Sequence, residues 1–165
     1  MTADLEIREE FDSLDKVDLK LKQLDLTPLV AIQQRIKDFV KGANPVNAPL
    51  YIRDFIIAYD ACNMLLSKAT RLDSDTKTQL EMYESIAYME KAGDYLKIHD
   101  IKDSSEARKR YIDLDPDVVR AKTIKAKSES MVHFLSNKLN ELRMCHDSIK
   151  KVAYSDGGDV NFTSR

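Results

Sequence analysis

Apolar residues recur at spacings of three and four along most of the chain, and the longest such run predicts one helix over 115–154. Val118, Ala121, Lys125, Ser128, Val132, Leu135, Leu139, Leu142, His146, Ile149 and Ala153 form its heptad seam. Asp115 stands in the cap position and Pro116 at the first helical position, and no Gly or Pro follows until Gly157 and Gly158. At 1.5 Å per residue this helix is roughly 60 Å long, longer than any other the pattern predicts. Part of its seam is therefore expected to pack on a second copy of the chain. The predicted interface is Lys125, Ser128, Val132, Leu135, Leu139, Leu142 and His146, with the polar members Lys125, Ser128 and His146 fixing register.

Upstream, Ile7, Phe11, Leu14, Val17, Leu21 and Leu24 predict a helix over 4–26. Thr27 and Pro28 open a second helix, lined by Leu29, Ile32, Ile36 and Phe39 and ended by Gly42. Pro45 and Pro49 mark 43–49 as a loop. A third helix is expected over 49–71 on the stripe Ile52, Phe55, Ile56, Tyr59, Cys62, Leu66 and Ala69, with a break at Asp73-Ser74-Asp75. A fourth follows to about residue 97 on Met82, Ile86, Met89, Gly93 and Leu96. Asp103-Ser104-Ser105-Glu106 resembles a capping box, with Asp103 as cap, for a short helix to about 111. The expected fold is all-α, an elongated helical bundle with one long C-terminal helix and no sheet. It forms a single domain over 1–154 and a flexible tail over 155–165. The expected core includes Phe11, Leu14, Ile36, Phe55, Ile56, Tyr59, Leu66, Ile86, Leu135, Leu139 and Leu142.

Composition supports long elements with few turns: the chain has 165 residues, 43% hydrophobic and 33% charged, with only 4 Gly and 4 Pro. The net charge of −2 advertises neither nucleic acid nor an anionic membrane, so such a partner would have to be met by a local patch. Cys62 and Cys145 have no CxxC partner and read as free thiols. The N-terminus carries no basic start and no apolar run, and no stretch is long enough to span a bilayer. The expected location is the cytoplasm, that of the host cell if the chain is phage-encoded.

Little in the sequence points to catalysis. His99, His133 and His146 lie in no HExxH or Glu-x-x-His spacing, so neither a metal nor another cofactor is expected. Asp113, Asp115 and Asp117 alternate, but Asp115 as cap and Asp117 in a first helical turn account for two of them. No phosphate loop or nucleophile motif is present. Charge is distributed unevenly: helix 4–26 is acidic, whereas 117–151 carries Arg120, Lys122, Lys125, Lys127, Lys138, Arg143, Lys150 and Lys151.

The turn Tyr111-Ile112-Asp113-Leu114-Asp115, followed by Val118, Ala121, Lys122, Val132, Phe134 and Leu135, resembles that of the UvsY-type recombination mediators of T-even-like phages. The resemblance covers the last third of the chain. It implies an all-helical, ring-forming, non-enzymatic accessory protein that binds single-stranded DNA and a recombinase. The acidic N-terminal region departs from that family, as does the lack of a basic DNA-binding segment there. Arg120, Lys127 and Lys138 fall close to one line along the long helix and are the expected nucleic-acid-binding residues. The alternative function is a helical structural or adaptor protein that binds no nucleic acid.

Overall fold

The fold is that of a computed structural model describing residues 13–42 and 44–155. Among these residues every regular element is helical and no strand occurs. In chain order they are α1 (Leu14–Lys22), α2 (Thr27–Gly42), α3 (Ala48–Ile86), a π-helical turn (Ala87–Lys91), α4 (Ala92–Ile98), α5 (Ser105–Ile112) and α6 (Pro116–Ser155). The expected start of the first helix at 4–12, with Ile7 and Phe11, and the tail beyond Ser155 lie outside the described residues. No helix among the described residues is long and apolar enough to cross a membrane.

The described residues divide into two compact units, one of 13–23 with 68–132, the other of 24–42, 44–67 and 133–155. In the first, α1 buries Leu14, Val17 and Leu21. Leu72 and Thr76 of α3, Ala87, Ala92 and Leu96, and Val118, Ala121, Ile124 and Ser128 of α6 complete its interior. In the second, Leu29 and Ile32 of α2, Phe55, Ala58, Cys62 and Leu65 of α3, and Leu135, Leu142 and Ile149 of α6 are buried. Phe39 meets Phe55 edge-on at 5.7 Å and Tyr51 at 5.8 Å, which closes one end of this core.

Several helix boundaries and faces differ from the sequence reading. Asp73-Ser74-Asp75 does not break the chain; α3 runs through it for 39 residues. Neither Gly nor Pro is present to stop it, Leu72 and Thr76 on either side are buried, and the Asp73 carboxylate is held by α6. With α6 at 40 residues, the two helices are nearly equal in length. Ile56 and Tyr59, expected in the core, are exposed. The buried line Phe55, Ala58, Cys62, Leu65, Ala69, Leu72 is one residue wide, and the apolar stripe is broader than the face its neighbours cover. Met82 is exposed as well, off the buried line that runs through Thr76, Gln79 and Ala87, and Met89 is exposed within the π-helical turn, where the buried positions step by five from Ala87 to Ala92. Ile36, Leu66, Ile86 and Leu139 are half-buried. The first helix ends at Lys22, not 26. Ser104, not Asp103, caps α5 by accepting from the Ala107 N–H at 3.2 Å, while Asp103 forms two 2.7 Å bonds with Arg108.

Both cysteines are free thiols. Burial pushes the Cys62 thiol above its ordinary pKa, and Sγ donates to the Leu135 carbonyl oxygen at 3.5 Å. Burial raises Cys145 too, with Glu141 adding to it, but that residue is only half-buried. Ellman's reagent is accordingly expected to label Cys145 slowly in the folded protein and Cys62 only on unfolding; equal labelling rates would contradict the packing around Cys62.

Candidate functional site

Arg120, Lys127 and Lys138 are each engaged by an acid. Arg120 meets Asp15 of α1, Lys127 meets Asp18 at 3.0 Å, and Lys138 bonds Glu141 one turn along α6. Lys22 and then Lys127 hold the Asp18 carboxyl below its ordinary pKa. Arg120 and Lys127 thus complement the acidic face of α1 inside the first unit, whereas Lys138 belongs to the second and is paired within α6 itself. A phosphate reaching Arg120 or Lys127 must compete with a carboxylate already in place.

Of the seam positions assigned to self-association, some are buried within the chain and others keep exposed surface. Ser128, Leu135 and Leu142 have no exposed surface. Val132, Leu139 and His146 are half-buried. Lys125 retains 15% of its side-chain exposure, with Nζ at 2.8 Å from Asp73 and 2.9 Å from Glu129. Burial draws the Lys125 pKa down, but the two carboxylates outweigh it and hold the ammonium above its ordinary value. Ser128 Oγ donates to Asp73 at 2.6 Å and lies 3.0 Å from Thr76 Oγ1. Thr76 in turn donates to the Asp73 carbonyl oxygen at 2.8 Å. Each polar atom of this α3–α6 cluster has a partner, so Lys125 and Ser128, two of the three polar interruptions of the seam, belong to a satisfied network, while His146 lies apart, 3.6 Å from Asp147.

A second network surrounds the start of α6. Asp115 is 1% exposed, and its Oδ1 accepts from the N–H groups of Asp117 (3.0 Å) and Val118 (3.2 Å), as the cap reading requires. Its Oδ2 accepts from the Tyr111 hydroxyl at 3.1 Å and lies 3.2 Å from Lys91 Nζ. Asp117 holds the same ammonium at 2.6 Å, and Asp113 pairs with Lys122 at 2.6 Å. The three alternating aspartates therefore have cap and ion-pair partners. Asp117 above all, then Asp115, raises the Lys91 pKa.

Beside this network lies a cleft of about 390 Å³ between α4, the connector 99–104 and α5. Its wall is aromatic and aliphatic: Tyr95 and Tyr111 rings 4.8 Å apart, with Leu96, Ile101 and Leu114. Ile101 and Leu114 keep 46% and 63% of their surface exposed. Lys102 and Arg110 stand on the rim, Arg110 with its own i,i+4 partner Glu106. Arg108 ties α5 to the π-helical turn. Arg108 is clamped by Asp103, donates to the Tyr88 carbonyl oxygen of the π-helical turn at 3.1 Å, and has its guanidinium 5.7 Å from the Tyr88 ring centre. The sequence places Tyr95 in the fourth predicted helix and Tyr111 at the end of the short one, without bringing them together. Sequence reasoning missed Ile101, Lys102 and Leu114, whose position next to two breaks in the helical pattern was their only signal.

No protein-family model matches the chain, and neither a curated protein nor a solved structure matches it.

Proposed function

We propose that the protein is a non-enzymatic helical adaptor that works by binding another protein, with the Tyr95–Leu114 cleft as its recognition site. The cleft carries this reading: it leaves two aliphatic side chains exposed beside an aromatic wall, under a net basic rim. Its size falls within the range of concave ligand sites, about 300–1,000 Å³. An apolar side chain of the partner fills the space over Ile101 and Leu114, and an acidic neighbour meets Lys102. The mediator reading is less well supported, because the line of cations it relied on is engaged by Asp15, Asp18 and Glu141.

Two titrations test the proposal. Anilinonaphthalene sulfonate, an apolar anion, is expected to bind saturably with a rise in fluorescence. Lys102→Glu and Leu114→Glu are each expected to weaken it on the order of tenfold, equivalent to roughly 1.4 kcal/mol. Lys97→Glu, on an exposed position of α4 outside the cleft wall, should leave it unchanged. No saturable binding, or equal binding by all three variants, refutes the cleft as the site. In parallel, a labelled oligo-dT strand is titrated at rising salt. Saturable binding that falls steeply with salt, and is abolished by joint charge reversal of Arg120, Lys127 and Lys138, would replace the adaptor with the mediator.

A further inference from the structure

On α3, the face turned away from the buried line carries Leu50, Ile57 and Met64, exposed by 57%, 61% and 62%. They are spaced seven apart, so they form one row along the helix, about 21 Å from first to last. Helices of a monomer commonly place charge on such a face; here the row is apolar at three successive heptad positions. The flanking residues restrict what can cover it. Three positions after Leu50 and Ile57 stand Arg53 and Asp60, both exposed and on the same side of the row. Four positions after them stand Asp54 and Ala61. Asp54 is turned inward, 3.2 Å from Arg35 of α2 and 3.6 Å from the largely exposed Arg53, and keeps only 18% of its side-chain exposure.

We propose that this face is a homodimer interface in which α3 of two copies pack antiparallel, with a twofold axis at Ile57. A twofold rotation that reverses the helix keeps each flank on its own side. Centred on Ile57, it brings Leu50 of one copy over Met64 of the other and Ile57 over its counterpart. The same operation sets Arg53 within one residue's rise of Asp60 of the second copy, and does so twice by symmetry. The apolar row and its charged flank are thus self-complementary in one register. A parallel pair would set Arg53 against Asp54, which Arg35 already holds, and Asp60 against Ala61. This surface is separate from the cleft and from the seam of α6, and the interface does not depend on the adaptor reading.

Sedimentation equilibrium over the micromolar range tests the proposal, with circular dichroism confirming that each variant is folded. The wild-type chain is expected to dimerise, and Ile57→Lys, at an exposed position, to be monomeric while folded. Arg53→Glu and Asp60→Arg are each expected to weaken the dimer on the order of tenfold by setting like charges opposite each other. The double variant R53E/D60R is expected to recover near wild-type association, because the pair is restored with its signs exchanged. A monomeric wild type, a dimer indifferent to Ile57→Lys, or a double variant no better than either single one overturns the proposal. The last of these outcomes also excludes the antiparallel register specifically.

Discussion

Leu135→Ala is expected to lower the stability of the folded chain by roughly 2–5 kcal/mol, the range for a fully buried leucine whose cavity relaxes only in part. Leu135 is 0% exposed, and its carbonyl oxygen accepts the Cys62 thiol, so two helices converge on one residue. Leu139, one turn further along the same seam, is half-buried and should cost about half as much when truncated. Urea unfolding of the two variants decides it, read as a shift in midpoint at unchanged slope. Equal losses would mean that the seam is covered more evenly than the burial of these side chains indicates.

Asp115→Ala is expected to cost roughly 2–4 kcal/mol, combining a lost helix cap with a phenol deprived of its acceptor. Burial pushes the Asp115 carboxyl up, but the Val118 N–H, Lys91 and Tyr111 together outweigh that and hold it below its ordinary value of 3.8. A carboxyl depressed in the folded state stabilises above its unfolded pKa, and that contribution is lost as pH falls through the folded value. Asp115→Asn retains an oxygen for the cap and gives up the charge. Its stability should therefore fall less than that of the wild type between about pH 5 and pH 2. Parallel curves for the two would show that other carboxylates carry the acid sensitivity.

Where capping chemistry and periodicity agreed, the sequence was legible. Asp115, Pro116 and an uninterrupted seam predict a helix over 115–154, and α6 runs Pro116–Ser155 with Asp115 as its cap. At Asp73-Ser74-Asp75, a residue able to cap a helix does not end one when its carboxylate is used by a neighbour. That neighbour, Lys125, is 52 residues away, so no local window reveals the pairing. The same holds for the cations of α6. Arg120 and Lys127 looked like a free line because Asp15 and Asp18, which meet them, lie more than a hundred residues earlier. The cleft was least legible, since its apolar residues sit in a connector and a turn, where periodicity has nothing to say.

The π-helical turn Ala87–Lys91 has a consequence for how this region tolerates change. One surplus residue advances the helix by about 100°. Leu96 and the aromatic wall of Tyr95 are therefore aimed by a count of residues and not by the identity of any one of them. Substitutions within the turn leave that count intact. Loss of a single residue there would yield a more regular helix and at the same time rotate everything up to Ile98 away from the packing it now has. The irregularity works as a phase offset between two stretches of helix, and lengthening or shortening the chain at this point is the change to which the cleft is most exposed.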